Sequence, residues 1–402
     1  MTVWIETPFD NLPSEGYRKM RYWSMAQAFK ALGHDVVLFA STFNHSTKSP
    51  RRIDSENPSF SEGIRLVLVP ALPYRRNISF ARVRSHLHHA NAFEKVAEEL
   101  VSSGEIKRPS LVVAAVPTIC AARSAKHLAD KYGAKFVLDV QDAWPETFYR
   151  ILPRFLRRFG RIFFYPLHRA VAKLYRSADL VTGVSLDYKA LSKRDDFYLA
   201  PLGVSCQINA ERKATQGKIK RLIYAGSLGR GYALETVIEA LKLDDELTLE
   251  IAGEGEKKNS LKKLAEKLGV LNRVNFHGWI GENELLSLLS QGDAGIIPMR
   301  DDSLVALPNK LFDYLAASLP VISSLHGECG EFLQREKSGV LYDIASPSSF
   351  IEALHRIQKE CVFPVIMPKS FRAEEIYPAY VARLEGLFVS DDQISGQARD
   401  LM

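Results

Sequence analysis

Short apolar runs alternate with amphipathic stretches along the first half of the chain. In chain order the runs are VWIE, DVVLFAS, IRLVLVP, SLVVAAVP, AKFVLDVQD and DLVTGVS. Segments with helical periodicity lie between several of them, such as residues 20–32 and the stretch ANAFEKVAEELVSS. Alternation of strand-length runs with helical segments is typical of βαβ units. The first half is therefore predicted to form a parallel sheet covered by helices.

A second series with the same pattern begins near Arg221. Its apolar runs are RLIYAG, LTLEIAG, RVNFHGW, AGIIPM and LPVISS, and the polar segment PLGVSCQINAERKATQGKI separates it from the first series. The pattern predicts an α/β protein with two doubly wound, Rossmann-like domains, residues 1–202 and 203–370. The helical stretch in the C-terminal segment, 371–402, fits either domain. The prediction allows this helix to cross back and pack on the N-terminal domain. Two such domains facing each other form a cleft lined by strand ends and helix N-termini, which favour anions.

Composition narrows the class of protein. The 402 residues carry a formal net charge of +6, and no basic stripe interleaved with aromatic residues indicates nucleic-acid binding. The four cysteines are scattered without a CxxC pair, which argues against a zinc ribbon or a disulfide scaffold. The N-terminal segment lacks signal-peptide features, and no run reaches the roughly 18 apolar residues that a spanning helix needs. We expect a protein that is soluble or lies on the cytoplasmic surface of a membrane.

The first motif that carries chemistry is YAGSLGRGYALE, which ends a predicted strand and opens a helix. Its glycines Gly226, Gly229 and Gly231 let backbone N–H groups approach a phosphate, and Arg230 adds positive charge. The spacing matches neither GxGxxG nor a Walker loop, so a plain strand-to-helix turn stays an alternative. A second predicted strand ends in the sequence GEG, residues 253–255, for which the same alternative holds.

A third motif, LPNKLFDYLAASLPVIS, begins a predicted helix near Pro308. Proline suits the first turn of a helix, and Lys310 and Asp313 share one face because they lie three residues apart. If the helix begins at the cleft, Lys310 meets a diphosphate and Asp313 accepts hydrogen bonds from sugar hydroxyls, two groups that are adjacent in a nucleotide sugar. The alternative is an ordinary surface ion pair worth on the order of 0.3 kcal/mol.

In their order and spacing, the three motifs resemble the C-terminal half of family-4 glycosyltransferases with the GT-B fold. In this resemblance Asp313 matches the second acidic residue of a Glu-x7-Glu motif, which implies a contact with the nucleotide ribose. Val305 stands where the first glutamate would be, and Lys310 is the candidate for a substitute charge. Arg230 matches a basic residue that neutralises the diphosphate, whereas Ser227 replaces the first arginine of the family.

The first half of the chain resembles the same family. The stretch LGHDVVLFAS is similar to its second strand, and Gly16 matches the glycine of a loop that approaches the donor phosphates. The segment DVQDAWPE, residues 139–146, resembles the D-x-x-D-x-W-P motif of bacterial sugar transferases that build colanic acid and O-antigen-type polysaccharides. Asp142 is the candidate acceptor-side carboxylate, and the alternative is a helix cap for the segment that begins near Pro145.

The resemblance implies an acceptor-side first domain and a second domain that binds the nucleotide sugar. The predicted catalytic residues are Asp142, Arg230 and Lys310. The predicted donor-binding residues are Gly16, Gly226, Ser227, Gly229, Gly253, Glu254, Ile280, Asn309 and Asp313. No group of His, Asp and Glu has metal-ligand spacing, so neither a metal nor a cofactor is expected besides the donor substrate. Helix dipoles and basic side chains then stabilise the leaving diphosphate.

The segment from Arg150 to Arg176 contains no acid and mixes arginines with large apolar residues. This pattern predicts a helix that lies on an anionic membrane surface, and the alternative is a helix packed on its own domain with solvated arginines. A second basic stretch, YRRNISFARVR, extends the same surface or lines the acceptor site. The arginines predicted to form the membrane or acceptor surface are Arg75, Arg76, Arg154, Arg157, Arg158 and Arg161.

These features predict a retaining, metal-independent glycosyltransferase on the inner face of the plasma membrane. We expect it to move a sugar from a nucleoside-diphosphate donor to a hydroxyl of a glycan, with a polyprenyl-diphosphate-linked acceptor, in cell-surface polysaccharide synthesis. A nucleotide-sugar epimerase of related fold and a non-catalytic subunit of GT-B fold are the alternatives. The basic segment favours the transferase, because an isomerase of soluble sugars needs no membrane. The missing glutamate at Val305 keeps the non-catalytic alternative open.

Overall fold

The chain forms two compact α/β units. The computed structural model describes residues 1–15, 19–51, 60–204, 218–300, 303 and 305–389. Unit 1 comprises Met1–Pro201 together with Glu374–Met402, and unit 2 comprises Leu202–Ala373. Each unit is built on its own parallel sheet, so the predicted fold class of two parallel-sheet α/β domains is confirmed.

Unit 1 contains a sheet that is parallel except at one edge. Its strands, including one separate two-strand pair, are β1 (Thr2–Glu6), β2 (Asp35–Ser41), β3 (Phe43–Asn44), β4 (Ser49–Pro50), β5 (Phe60–Ser61), β6 (Ile64–Val69), β7 (Leu111–Val116), β8 (Lys135–Val140), β9 (Leu180–Gly183) and β10 (Tyr198–Leu199). The sheet order is β10-β9-β8-β7-β1-β2-β6-β5, with β5 antiparallel to β6. Strand β7 is buried at every position, as expected for a central strand that is covered on both faces.

The helices of unit 1 follow the predicted alternation. They are α1 (Arg21–Ala31), α2 (Phe80–Ser102), α3 (Ile119–Tyr132), α4 (Gly160–Phe163), α5 (Tyr165–Ser177) and α6 (Leu186–Ser192), with 3-10 helices at Pro13–Glu15, Glu146–Ile151 and Arg154–Phe159. Local sequence fixes their ends. The Thr118 hydroxyl accepts a hydrogen bond from the Ala121 N–H at the start of α3, and Gly133 ends this helix at φ +67°.

Unit 2 contains a fully parallel sheet in the order β13-β12-β11-β14-β15-β16. Its strands are β11 (Arg221–Ala225), β12 (Thr248–Ala252), β13 (Val274–Gly278), β14 (Ala294–Ile297), β15 (Val321–Ser323) and β16 (Gly339–Leu341). Its helices are α7 (Leu234–Ala240), α8 (Lys258–Lys267), α9 (Glu282–Ser290), α10 (Asn309–Ala316), α11 (Glu328–Arg335) and α12 (Pro347–Glu360), with 3-10 helices at Leu271–Arg273 and Lys369–Phe371. Apolar cores lie on both faces of this sheet, because the strands contribute residues to each of two buried clusters.

Helix α13 (Ala373–Glu385) packs on unit 1 and is followed by a 3-10 helix at Gly386–Phe388. The Tyr380 hydroxyl lies 3.0 Å from the Thr182 hydroxyl on β9. Oε1 of Glu385 lies 2.8 Å from Nε2 of His34, a residue that follows helix α1. Both ends of the chain therefore contribute to the same unit.

Candidate functional site

The predicted donor motifs converge at the carboxyl ends of neighbouring strands in unit 2. We name residues 226–229, 253–255 and 278–280 the strand-end loops, because they lie at the carboxyl ends of β11, β12 and β13. Backbone hydrogen bonds join them: Gly226 N–H donates to the Ala252 carbonyl at 2.9 Å, and Gly253 N–H donates to the Gly278 carbonyl at 2.7 Å. A further bond runs from Leu228 N–H to the Glu254 carbonyl at 2.9 Å. Motifs that are separate in the sequence thus form one continuous surface.

Glycine is required where two of these loops meet. Gly253 adopts φ +153°, and a Cβ atom added there would lie 1.8 Å from the carbonyl oxygen of Gly226. Backbone atoms do not yield as a side chain can, so the first two strand-end loops pack directly, main chain against main chain. At Gly229, by contrast, an added Cβ atom would meet nothing within 4 Å. Only part of the glycine pattern is therefore explained by close packing.

Lys310 lies against the first strand-end loop from the start of α10. Its side chain is buried, and Nζ lies 4.1 Å and 3.8 Å from the ring centroids of Tyr224 and Tyr232. A Cβ atom added to Gly226 would lie 3.1 Å from Nζ. In the part of the chain that the structure describes, Nζ has no hydrogen-bond partner. The alternative of a surface ion pair with Asp313 is wrong, because the lysine is buried.

Burial governs the charge state of Lys310. Loss of solvation lowers the pKa of its ammonium well below the usual value, while two aromatic faces at this distance favour the charged form. An anion brought to the strand-end loops would supply the counter-charge that the described side chains lack. Chemically, this arrangement is suited to a negatively charged ligand.

Arg230 occupies a different position from Lys310. Its side chain is 88% exposed, and Nε lies 3.1 Å from a carboxylate oxygen of Glu256. The Arg230 carbonyl accepts a hydrogen bond from Arg300 Nε at 2.9 Å. The arginine therefore stands at the outer rim of the strand-end loops, where it is able to turn toward a ligand without losing packing.

The remaining predicted donor residues that the structure describes lie in the strand-end loops or on α10. Ser227 is exposed, and its carbonyl accepts a hydrogen bond from the Tyr224 hydroxyl at 2.6 Å. Glu254 pairs with Lys258. Ile280 and Asp313 are half-buried, whereas Asn309 is exposed at the first position of α10. Gly16 lies outside the described residues.

Asp142 directly follows β8 in unit 1. Burial raises the pKa of its carboxyl group, although hydrogen bonds lower it in part. The Thr147 hydroxyl donates to Oδ1 at 3.3 Å, and the Trp144 N–H donates to the Asp142 carbonyl at 2.9 Å. A 3-10 helix begins at Glu146, so Asp142 braces the turn before this helix while it remains partly accessible.

The other acid of the same motif has a structural role that sequence reasoning missed. Asp139 is fully buried, and Arg21 binds both of its carboxylate oxygens at 2.8 Å. The hydroxyls of Tyr22 and Thr182 donate to it at 2.9 Å and 2.6 Å. Despite burial, the Arg21 guanidinium and these hydrogen bonds hold the pKa of Asp139 below its usual value. The only sequence signal was the apolar context of Asp139 inside a strand.

The basic segment does not form the single helix that its composition predicted. It forms two 3-10 helices followed by α4 and α5, because Pro153 and Pro166 cannot continue the backbone hydrogen-bond ladder of a preceding helix. Phe155, Ile162 and Phe163 are 71%, 72% and 56% exposed. The segment is thus a broken, outward-facing surface of arginines and large apolar side chains.

Its arginines differ in exposure. Arg154, Arg158 and Arg161 are exposed, whereas Arg157 is half-buried and its Nε donates to the Leu152 carbonyl at 3.3 Å. The arginines of the second predicted basic stretch, Arg75 and Arg76, are exposed in the segment that precedes α2. Among the described residues no helix combines the length and hydrophobicity needed to cross a membrane. Likewise, the described His, Cys, Asp and Glu side chains form no group of three or more that could hold a metal ion.

Comparison with known proteins places these features in a family. Residues 20–197 match the model of the glycosyl transferase 4-like domain, and residues 207–364 match that of the glycosyl transferases group 1. The chain is 30% identical over 122 residues to the lipopolysaccharide core biosynthesis glycosyltransferase LpsE of Rhizobium meliloti, covering 30% of this chain and 34% of that protein. It is 36% identical over 100 residues to the putative colanic acid biosynthesis glycosyl transferase WcaI of Escherichia coli, covering 24% of each. The alignments thus span about a third or less of these relatives.

A solved structure matches over the full length. The HepE protein of Anabaena, in complex with UDP-glucose, superimposes with a TM-score of 0.59 and 12% identity over 100% of both chains. Two parallel-sheet α/β units with this full-length likeness define the GT-B fold. The two family models cover consecutive parts of the chain, one for each unit. The chain belongs to the family-4 glycosyltransferases.

Proposed function

We propose that this chain is a retaining glycosyltransferase that moves a sugar from a nucleoside-diphosphate donor to a hydroxyl of a lipid-linked glycan. The observation that carries the proposal is the buried Lys310 side chain, whose Nζ contacts two tyrosine rings and lies against the loop after β11. Nucleotide ligands bind at the carboxyl ends of strands in sheets of this kind. The UDP-glucose complex of HepE, which is similar in fold, supports a nucleotide-sugar donor.

The leaving diphosphate is the group that Lys310 would stabilise. As the glycosidic bond breaks, negative charge develops on this diphosphate, and a positioned cation in a water-poor site lowers the barrier most effectively. N–H groups of the strand-end loops would add dipoles, and Arg230 at their rim would close on the outer phosphate. No metal ion is required in this scheme, since fixed positive charge of the chain itself meets the developing anion.

Asp142 is the proposed carboxylate on the acceptor side. Its position after β8 and its raised pKa fit a group that accepts a proton from an acceptor hydroxyl, because a weakly acidic carboxyl is the stronger base. Aromatic contacts tie its loop to the basic segment: the Trp144 and Phe148 rings lie 4.5 Å apart, and those of Phe148 and Phe164 lie 5.8 Å apart. A membrane-bound acceptor would thus be presented beside the carboxylate.

The exposed part of the basic segment is the proposed membrane surface. We name it the arginine–aromatic surface: Arg154, Phe155, Arg158, Arg161, Ile162 and Phe163. Arginines are attracted to anionic headgroups, and the large apolar side chains insert at the interface. The proposed location is the inner face of the plasma membrane. The names of the LpsE and WcaI relatives support a role in cell-surface polysaccharide synthesis.

Thermal-shift screening against nucleotides and nucleotide sugars tests the donor site. A ligand at a hundred times its dissociation constant should stabilise the wild-type protein by about 2.7 kcal/mol. Lys310→Met should abolish most of this gain, whereas Lys263→Met, on the exposed face of α8, should retain it. Absence of any nucleotide effect on the wild type would overturn the donor assignment.

Product analysis separates the transferase from the alternatives. With the stabilising nucleotide sugar and a lipid-linked glycan, NMR should show a new glycosidic bond with the anomeric configuration of the donor. An epimerase would instead alter the sugar without any acceptor. A protein that binds the donor but neither hydrolyses nor transfers it would be the non-catalytic subunit.

Vesicle co-sedimentation tests the membrane surface. Wild-type protein should bind vesicles that contain anionic lipid, with each basic side chain contributing about 1 kcal/mol, and binding should weaken with salt. Replacing Arg154, Arg158 and Arg161 together with glutamate should release the protein from the vesicles. The matched control carries glutamate at the exposed positions Lys95, Arg108 and Arg123 of the same unit. Equal binding of the two triple variants would show that only net charge matters and that this surface is not specific.

A further inference from the structure

A cluster of cations, imidazoles and aromatic rings lies beside Asp142 in unit 1 and has no role in the donor chemistry. We name it the Arg82 cluster, and its members are Phe9, His45, Lys48, Tyr74, Arg82, His86 and Trp144. The Arg82 guanidinium carbon lies 5.2 Å, 5.9 Å and 5.5 Å from the ring centroids of Phe9, Tyr74 and Trp144. Three aromatic rings therefore surround one guanidinium group.

Hydrogen bonds fix this guanidinium but use only part of it. Arg82 Nε donates to His86 Nε2 at 3.2 Å, which is one helical turn further along α2, and Nη1 donates to the Asn77 carbonyl at 3.0 Å. The residues at i and i+4 share a helix face, but nothing in the sequence indicated that Trp144 would approach them. The fork of Arg82 is held in place by neutral partners.

A second cation faces the same tyrosine. Lys48 Nζ lies 5.3 Å from the Tyr74 ring centroid and donates to the His45 carbonyl. His45 Nδ1 in turn contacts the Tyr74 hydroxyl. Among the described residues neither Lys48 nor Arg82 forms an ion pair with a carboxylate, although Asp142 acts on Arg82 from a longer distance. Two positive charges are thus concentrated around one ring.

The histidines report this positive field. Burial and the neighbouring cations lower the pKa of His45 and of His86 to about 3, and burial lowers the pKa of Lys48 to about 8. Both imidazoles are therefore neutral near pH 7. The other titratable groups near this cluster are Asp142 and the buried Glu6–His89 pair, whose Oε1 and Nε2 atoms lie 3.0 Å apart.

An unpartnered buried atom lies next to the cluster. His89 is 2% exposed, and its Nδ1 has no hydrogen-bond partner among the described residues. The side chain lines a cavity of about 10 Å³ together with Phe9, Tyr74, His86 and Thr118. This volume holds about one water-sized group.

We propose that the Arg82 cluster is an anion subsite that binds a phosphate group of the acceptor. This inference rests on the proposed function, since it assigns the acceptor of the same reaction. Two unpaired cations match a phosphate ester better than a single carboxylate, because charge-assisted hydrogen bonds to phosphate recover what the cations lose on burial. The phosphate has two sources that share this chemistry: the diphosphate of a lipid carrier or a phosphorylated sugar of the glycan.

Location favours a phosphate close to the transfer site. Trp144 contacts Arg82, and through Phe148 it is linked to Phe164 of the basic segment. Asp142 lies two residues before Trp144. An acceptor held by its phosphate at Arg82 would present nearby hydroxyls to this carboxylate.

Calorimetric titration of the full chain tests the subsite. The probes are a short-chain isoprenyl diphosphate and glucose 6-phosphate, each beside its phosphate-free alcohol or sugar, with a saturating nucleoside diphosphate present to occupy the donor site. Arg82→Gln and Lys48→Gln should each weaken the affinity for the phosphate probes about tenfold or more. Arg123→Gln, an exposed arginine on α3 of the same unit, is the charge-matched control and should bind as wild type does. If Arg82→Gln does not fold, Lys48→Gln carries the test.

A second readout separates ligand binding from a structural role. Bound phosphate should raise the pKa of His45 and His86, so their imidazole signals in NMR should titrate at higher pH with the probe than without it. Tighter binding of the isoprenyl diphosphate assigns the phosphate to the lipid carrier, and tighter binding of the sugar phosphate assigns it to the glycan.

Three results would overturn the subsite. They are no binding of either probe, equal binding by all variants, and unchanged histidine titration. Wild-type protein that binds nucleoside diphosphate but neither probe would refute this inference and leave the proposed function standing. Protein that binds a probe but no nucleoside diphosphate would refute the proposed function, and would leave an anion subsite that is not assigned to the acceptor.

Discussion

Alanine at position 253 tests whether the donor site of unit 2 depends on direct main-chain packing. Its Cβ atom would lie 1.8 Å from the Gly226 carbonyl oxygen and 2.8 Å from the carbonyl carbon, at a backbone φ of +153°. The conformation alone costs an L-residue about 1–3 kcal/mol, and forced displacement of packed backbone adds about 1–3 kcal/mol. We expect Gly253→Ala to lower the unfolding free energy of unit 2 by about 2–6 kcal/mol.

Substitutions at two other glycines separate the cost of the backbone conformation from the cost of displacing packed backbone. Gly269 has φ +71° with nothing within 4 Å of an added Cβ atom, so Gly269→Ala should lose only the conformational cost of about 1–2 kcal/mol. Gly229 has open space, and its φ lies outside the left-handed region, so Gly229→Ala should stay within about 0.5 kcal/mol of wild type. Urea unfolding followed by far-UV circular dichroism measures all three. If Gly253→Ala loses no more stability than Gly269→Ala, the loops do not pack as described.

Function gives the series a second readout. A shifted Gly226 would move the backbone against which Lys310 Nζ packs, since an added Cβ atom there would lie only 3.1 Å from Nζ. Calorimetric titration with the stabilising nucleoside diphosphate should therefore show weaker binding in Gly253→Ala but not in Gly269→Ala. If Gly253→Ala is destabilised but binds the nucleoside diphosphate with wild-type affinity, the packing of the strand-end loops does not shape the donor site.

Four further predictions follow from charge. Asp139→Asn leaves the buried Arg21 guanidinium unpaired and should cost about 3–5 kcal/mol in urea unfolding; a loss below 1 kcal/mol would contradict the network. Burial lowers the pKa of Lys310 below its unfolded value of about 10.4, so the unfolded chain binds more protons and wild-type stability falls as pH drops below about 10. As the pH is lowered from 10 to 7, the unfolding free energy of Lys310→Met should therefore increase relative to that of wild type. A difference in unfolding free energy that does not change with pH would refute the burial of Lys310. Arg230→Ala should lower kcat/KM for the donor about 10²-fold with unchanged thermal stability, and unchanged kinetics would remove it from the site. Activity should survive EDTA, whereas a complete loss that Mg²⁺ restores would refute the metal-free scheme.

The sequence predicted the features that depend on local pattern. Both parallel sheets follow from apolar runs such as LVVAAV, and the strand-end loops follow from glycines placed after those runs. Since parallel strands share one carboxyl edge, motifs about 25 residues apart meet without further information. The break of the basic segment was equally readable from Pro153 and Pro166, but composition outweighed them in the prediction of a single helix.

Features that depend on distant partners were not predictable. Spacing on a helix left a surface ion pair between Lys310 and Asp313 as an alternative, whereas the lysine turns inward to tyrosines that come from another part of the unit. Asp139 and Asp142 share one motif, yet one is locked by Arg21 and the other is partly accessible. Which carboxylate is structural is decided by the side chain that folds over it, and a single sequence does not show that contact.

The position of α13 has a consequence for synthesis of the protein on the ribosome. Unit 1 is completed only by residues that follow unit 2 in the chain, because Tyr380 and Glu385 reach Thr182 and His34. As the chain emerges, unit 2 has all of its residues before unit 1 has its last helix. The nascent first unit must therefore wait, with the site of α13 uncovered, while more than 170 residues are translated. Unit 1 will be the later of the two to reach its final stability, although its first strand is made first.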